Sequence, residues 1–72
     1  MNPYIIVHNL DLPNDYEMVI FINSICYFHR HPLGCYIKFN YGDGVYTREP
    51  YEEVKRIIRD AVSAGTTTTG PR

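Results

Sequence analysis

The sequence predicts an α+β fold, a small antiparallel sheet of about four strands with one C-terminal helix packed on one face. Three observations support this prediction. Short apolar runs separated by turn residues fill the first half of the chain, a strictly alternating segment with a glycine turn follows, and a helical apolar stripe comes last. With 72 residues, the chain has room for one domain.

The first predicted strand is the segment Tyr4-Ile5-Ile6-Val7-His8. Its apolar residues point to both sides, which is typical of a strand covered on two faces. A loop rich in Asn, Asp and Pro follows, and a second apolar run covers residues 18–22. Asn23-Ser24 interrupts that run before alternation resumes, so we expect either one long bent strand or two short strands with a bulge at this point. The faces of the residues that follow depend on this choice.

A hairpin is predicted around Gly42-Asp43-Gly44. Residues 35–41 alternate strictly, and a three-residue loop with an available glycine favours an antiparallel return through residues 45–49. If Tyr41 lies opposite Val45, then Phe39 lies opposite Thr47 and Ile37 opposite Glu49, so the apolar faces of both strands coincide. The turn at 31–34 pairs the preceding strand with this one, placing Arg30 opposite Cys35 and Cys26 opposite Phe39.

The last element is predicted to be a helix that begins at Pro50. Proline suits the first helical position. Glu52 and Glu53 lie in the first turn, where negative charges interact favourably with the positive end of the helix dipole. Gly65 is a candidate C-terminal cap, so we expect a compact domain over residues 1–64 and a disordered tail over residues 65–72. The stripe that should pack on the sheet comprises Tyr51, Val54, Ile57, Ile58, Ala61 and Val62.

Charge and composition exclude several classes of function. A net charge of −1 and a sequence pI of about 6.2 provide no general field for nucleic acid, so nucleic-acid binding is disfavoured. The apolar runs fall far short of the roughly 20 residues of a membrane span, and no signal-peptide pattern is present, so we expect a cytoplasmic protein with no membrane partner. A domain this small has a marginal core, and we therefore expect a homo-oligomer.

The sheet face directed away from the helix contains the candidate site. In place of the Thr, Ser and Glu of a solvated face, the predicted register concentrates tyrosines, histidines and cations there. The candidate ligand- or partner-binding residues are Tyr27, His29, His31, Tyr36, Lys38, Tyr46 and Arg48. Stacking rings with nearby cations suit a nucleotide-like anion, whereas Tyr and Arg are also enriched at protein interfaces. A third interpretation is that cross-strand tyrosine pairs only stabilise a small sheet.

Other chemistry finds less support in the sequence. Cys26, His29, His31 and Cys35 are close enough in sequence to suggest zinc, but Cys26 and His29 point to opposite faces of one strand. The same hairpin separates the two thiols and disfavours a disulfide. The serines lie outside any nucleophile motif, so we expect no enzyme, no catalytic residue, no metal site and no cofactor. Glu49 lies just before Pro50, where it could cap the helix.

The stretch from Ile37 to Val54 resembles the C-terminal half of the FlbD/SwrD family of small flagellar and swarming-motility proteins. The shared pattern is an alternating strand, a glycine turn, a returning strand and a Glu-Val helix. Residues 21–25 look like the Leu-Asn-then-Ile element of that family, and similar short chains occur as phage products. The resemblance implies a motility accessory protein without catalytic residues. From the candidate face we expect a non-catalytic, homo-oligomeric binding or sequestering protein. An example is a phage-type inhibitor that captures a host protein or a nucleotide-like anion. The alternatives are a motility accessory protein and a weak nucleic-acid-binding module.

Overall fold

The structure is a computed structural model that describes residues 2–13 and 16–69, with side chains up to residue 63. It confirms the α+β class, with two antiparallel sheets and one helix packed on them. The elements in chain order are β1 (Tyr4–His8), β2 (Glu17–Phe21), a 3-10 turn (Ile22–Ser24), β3 (Ile25–His31), β4 (Gly34–Phe39), β5 (Gly44–Thr47) and α1 (Tyr51–Thr69). The strands β1 and β2 form one sheet, and β3, β4 and β5 form the other.

The segment around Asn23-Ser24 is neither a bulge nor a bend within one strand. It is a 3-10 turn that separates β2 from β3 and sends them into different sheets, so residues 2–13 and 16–69 contain five strands where about four were predicted. Asn40 fixes this turn, because its backbone N–H donates to the Ser24 carbonyl at 2.9 Å and its side-chain amide donates to the Asn23 carbonyl at 2.8 Å. The first strand is also covered on only one face, because Tyr4 and Ile6 are about half exposed.

The β3–β4 register agrees with the predicted register at the end next to the β3–β4 turn and differs from it at the other end. Arg30 lies opposite Cys35, as predicted. The prediction that Cys26 lies opposite Phe39 is wrong, because the register shifts between Ile25 and Tyr27 and Ile25 takes that position. A one-residue bulge therefore falls at Cys26, whose side chain is exposed.

The predicted β4–β5 register is wrong as well. Ile37 lies opposite Val45 and Cys35 opposite Thr47, because the turn between the strands begins at Asn40 and not at Gly42. The turn is closed by the Phe39 N–H, which donates to the Asp43 carbonyl at 2.7 Å, and Gly42 adopts φ of 110°. Because the displacement is an even number of residues, each side chain keeps its predicted face.

The core lies between the two sheets and the helix. Its buried hydrophobic residues are Ile5, Val7, Ile20, Cys35, Ile37 and Val54, joined by the buried Thr47. A backbone bridge between Asn9 and Thr47 joins the two sheets. There the Leu10 N–H donates to the Tyr46 carbonyl at 2.9 Å and the Arg48 N–H donates to the His8 carbonyl at 2.8 Å.

The helix begins where the sequence predicts and ends later. The Val54 N–H donates to the Pro50 carbonyl at 3.0 Å, and Val54 is the fully buried residue of the predicted stripe. Val62 lies outside the core contact and is 43% exposed. The helix passes through Gly65 to Thr69, so Gly65 is not its C-terminal cap. The domain boundary at residue 64 and the disordered tail stay predictions, and residues 70–72 lie outside the described residues. Within the described part of the chain, no helix is long and apolar enough to cross a bilayer.

Candidate functional site

The sheet of β3, β4 and β5 has two differently composed faces. Phe28, Ile37 and Val45 lie side by side in one row, partly or fully buried and directed at the core. The neighbouring row, with the opposite orientation, contains His29, Tyr36 and Tyr46. Every candidate residue on a strand belongs to this outer face, namely Tyr27, His29, His31, Tyr36, Lys38 and Tyr46, and Arg48 follows directly after β5.

Five rings of this face contact one another, and we call them the aromatic strip. Its members are Tyr27, His29, Tyr36, Tyr46 and His31. In that order, successive ring centroids lie 6.1, 5.1, 4.9 and 4.7 Å apart. The strip therefore crosses all three strands, and its rings are within the range of favourable aromatic contacts.

Two glycines allow close contacts in this sheet, and one of them lies under a ring of the strip. Gly34 lies opposite His31 on β4, and it faces the β5 backbone, where an added Cβ would be 1.8 Å from the Thr47 carbonyl oxygen. The Tyr36 ring lies over Gly44, where an added Cβ would be 2.0 Å from the Tyr36 hydroxyl oxygen. A ring that covers backbone in this way can present its other side to a ligand.

Both cations of the face are held by neutral carbonyl oxygens. Lys38 Nζ donates to the Gly42 carbonyl, and the Arg48 guanidinium donates to the Leu12 carbonyl. Each contact uses one donor of a group that has several, so donors remain for an anion. These contacts also position one cation beside the β4–β5 turn and the other beside the loop after β1.

Hydrogen bonds fix the neutral tautomers of the two histidines. A carbonyl oxygen only accepts, so His29 Nδ1, which lies 2.9 Å from the Arg30 carbonyl oxygen, is the protonated nitrogen. His31 Nδ1 accepts from the Leu33 N–H at 3.2 Å, so its Nε2 bears the proton. His31 thus offers a donor next to Tyr46, and His29 offers an acceptor next to Tyr36.

Arg30, between the two histidines, faces the helix. Its guanidinium lies 4.5 Å from the Tyr51 ring centroid and donates to Glu52 Oε2 at 2.7 Å. The alternation of the strand explains this direction, since Arg30 is one residue from His29 and from His31. The sequence His29-Arg30-His31 therefore does not form one basic cluster.

Cys26 and Cys35 are free thiols in different surroundings. Cys26 is exposed at the bulge, whereas Cys35 is buried in the core, and burial raises the pKa of the Cys35 thiol. Among the residues that the structure describes, no three His, Cys, Asp or Glu side chains lie close enough together to hold a metal ion.

Glu49 binds His8, a contact that sequence reasoning missed. Its Oε2 lies 2.6 Å from His8 Nδ1, and its Oε1 accepts from the His8 backbone N–H at 2.9 Å. Burial acts to raise the pKa of the Glu49 carboxyl, but the hydrogen bonds from the His8 ring and backbone outweigh it and lower the pKa. The carboxylate thus fastens the end of β1 to the start of α1, a structural role other than the predicted helix cap.

The outer face of the β1–β2 hairpin is a second feature that the sequence analysis did not identify. Tyr4 lies opposite Phe21 and Ile6 opposite Val19, and all four side chains are about half exposed. Next to this face is an open cleft lined by Val19, Ile20, Phe21, Ser24, Phe39 and Tyr41. The signal for it was present in the sequence, because β1 and β2 are apolar on both sides.

No family model, curated protein or solved structure matches this chain. The resemblance to FlbD/SwrD proteins therefore stays a prediction.

Proposed function

We propose that this protein is a non-catalytic binding protein that sequesters a nucleotide-like anion on the outer face of β3, β4 and β5. The observation that supports this proposal is the aromatic strip with Lys38 on the same face of the larger sheet and Arg48 directly after β5. Rings supply stacking area for a base, and the cations supply charge-assisted hydrogen bonds for a phosphate.

The arrangement of the strip assigns roles to individual side chains. Tyr36 is the stacking residue, because its ring lies over Gly44 and contacts both His29 and Tyr46 at the middle of the strip. Lys38 and Arg48 bind phosphate oxygens, and His31 Nε2–H adds a neutral donor beside Tyr46. These groups bind and orient a ligand, and no bond of the ligand is broken. Binding alone is sufficient for a phage-type inhibitor that captures its target.

Thermal unfolding with matched ligands tests the proposal. A nucleoside, its 5′-monophosphate and inorganic phosphate are each added in excess, and the melting temperature is measured. We expect the largest rise with the nucleotide, because it alone uses rings and cations together. Tyr36→Ala, Lys38→Ala and Arg48→Ala should each reduce the rise, whereas Arg59→Ala, an exposed cation on the helix, should leave it unchanged.

The outcome that contradicts the proposal is equally specific. If mono-, di- and cyclic nucleotides all fail to raise the melting temperature at millimolar concentration, the strip does not sequester a nucleotide. If Lys38→Ala and Arg48→Ala bind as well as the wild type, the cations have no role in binding.

A protein partner is the second candidate, and the exposure of the strip favours it. Tyr27 and Tyr46 are 50% and 41% exposed, and tyrosine is enriched among the residues that dominate binding at protein interfaces. For a purified partner, Tyr46→Ala should weaken binding by about 30-fold or more, the effect of removing a central interface residue. In that case the nucleotide panel produces no shift, which separates the two candidates.

A further inference from the structure

We infer that the outer face of the β1–β2 hairpin is a self-association surface on which a second copy of this chain docks. The surface is separate from the aromatic strip, and the inference stands whether or not the strip binds a nucleotide. It consists of Tyr4, Ile6, Val19 and Phe21 on the strands, together with Phe39 and Tyr41 at the cleft.

The hairpin places its apolar residues on both sides. Ile5, Val7 and Ile20 are in the core, while their neighbours in sequence point outward. The outward residues Tyr4, Ile6, Val19 and Phe21 are 51%, 46%, 55% and 47% exposed. Strands with apolar residues on both sides normally have both faces covered, and here one chain covers only the inner face.

The size of the surface fits a dimer. A whole aromatic side chain contributes about 200 Å² and Ile or Val somewhat less, so these half-exposed residues with Tyr41 offer roughly 450 Å² of apolar area. Because homodimer interfaces are about 65% apolar, this corresponds to roughly 700 Å² per partner, close to the about 800 Å² of a standard interface.

The charge and shape of the surface favour a second copy over other occupants. All six side chains are neutral, and the nearest ionic contact is a pair at one end, where His8 Nε2 lies 3.9 Å from Glu17 Oε2. Because none of these side chains is a cation, the surface has no group that binds the phosphates of a nucleic acid. An apolar surface of this kind can cover an identical surface around a two-fold axis.

The cleft supplies a matching element. Tyr41 is 70% exposed and stacks on Phe39 with ring centroids 5.3 Å apart. Both rings line the cleft, and Val19 and Phe21 line it as well. One patch therefore includes a protruding ring and a hollow beside it. In a two-fold dimer, the Tyr41 ring of each copy can enter the cleft of the other, a self-complementary contact.

Self-association would also compensate for the low stability that a small core provides. The described chain buries only the six hydrophobic residues of the core fully, and domains of this length commonly gain stability by oligomerisation. The resulting dimer would present two aromatic strips, so a ligand or partner with two sites would bind with increased avidity.

Analytical ultracentrifugation of the full chain tests this inference. We expect a reversible dimer at micromolar concentration. Val19→Lys should weaken it about tenfold or more, because a lysine on each copy would be forced against an apolar partner surface. Leu33→Lys is the matched control, since Leu33 is 68% exposed in the β3–β4 turn, and it should dimerise like the wild type.

Tyr41→Ser provides a second variant if Val19→Lys does not fold, because Tyr41 lies in a turn and not in a strand. It should also weaken the dimer while the circular dichroism spectrum stays unchanged. A wild-type chain that is monomeric at all concentrations would overturn the inference. So would a dimer that these variants leave intact, or one that Tyr46→Ser, on the aromatic strip, abolishes in their place.

Discussion

Glu49 holds His8 by both of its carboxylate oxygens, one on the ring nitrogen at 2.6 Å and one on the backbone N–H at 2.9 Å. The two residues are 41 positions apart in sequence, and their side chains are mostly buried. The contact ties the smaller sheet to the segment that leads from β5 into α1. It adds side-chain hydrogen bonds to the backbone hydrogen bonds that Leu10 and Arg48 donate between the same two segments.

Replacing Glu49 by Gln should destabilise the protein by about 1.5 to 3 kcal/mol, the value for a hydrogen bond that involves a charged group. The substitution keeps the shape of the side chain and removes its charge. Chemical denaturation near neutral pH measures the loss. Glu52→Gln, whose carboxylate forms an exposed contact with Arg30, is the control and should cost less than about 1 kcal/mol.

The same carboxylate predicts a loss of stability in acid. The pKa of Glu49 in the folded chain is lowered from its ordinary value of 4.5, so the folded state binds this proton less readily than the unfolded state does. The stabilisation is complete above that ordinary value and disappears as the pH falls through the lowered pKa. The free energies of unfolding of the wild type and Glu49→Gln, measured by denaturation from neutral to acidic pH, should therefore become more similar as the pH falls. Curves that stay equally far apart in strong acid would contradict this role.

Gly44→Ala should displace the Tyr36 ring without removing it. The added methyl group would lie 2.0 Å from the Tyr36 hydroxyl oxygen, so the ring must move off the backbone. We expect nucleotide binding to weaken at least as much as it does with Lys38→Ala. Calorimetric titration measures the change.

Gly42→Ala is the matched control for that variant. Its methyl group meets no atom within 4 Å, but φ of 110° is strained for alanine and should cost about 1 to 2 kcal/mol of stability. Stability should fall, whereas nucleotide binding should weaken less than with Gly44→Ala, because the residue 42 carbonyl that Lys38 contacts is retained. Equal losses of binding in both variants would show that general destabilisation, and not the position of Tyr36, sets affinity.

Two valines on α1 test which side of the helix faces the core. Val54→Ala should cost about 2 kcal/mol, because a fully buried side chain loses contacts and leaves a cavity. Val62→Ala should cost less than about 1 kcal/mol, because Val62 is 43% exposed. Thermal or urea unfolding distinguishes them, and similar losses for both would contradict the packing.

Arg30→Ala should leave the proposed binding site intact. Its side chain contacts Tyr51 and Glu52 on the helix side of the sheet, and an exposed ion pair contributes little, so unfolding should lose no more than about 1 kcal/mol. Nucleotide affinity should match that of the wild type. A large loss of affinity would mean that Arg30 turns to the outer face when a ligand binds.

The sequence predicts local chemistry well in this chain. Pro50 with the two glutamates that follow predicts where the helix begins, and strict alternation in residues 35–39 predicts which side chains share a face. The faces of Tyr36, Lys38 and Tyr46 were predictable despite the wrong register, because an even displacement does not exchange the two sides of a strand.

Contacts between distant segments were not predictable from these patterns. The turn begins at Asn40 because Asn40 also binds the 3-10 turn, and nothing in the local glycine pattern specifies that contact. The interaction of His8 with Glu49 likewise depends on how the two sheets meet. The open hairpin face was hidden for a related reason, since a strand that is apolar on both sides does not reveal whether its own chain or another covers it.

Binding of a nucleotide-like anion to the aromatic strip can be followed residue by residue in a ¹H–¹⁵N NMR titration with a nucleoside monophosphate. We expect dose-dependent shifts of the amides of Tyr27, His29, Tyr36, Lys38 and Tyr46, with the outer hairpin residues Ile6 and Val19 unaffected. A spectrum that does not change up to millimolar nucleotide, or shifts confined to the hairpin, would contradict it.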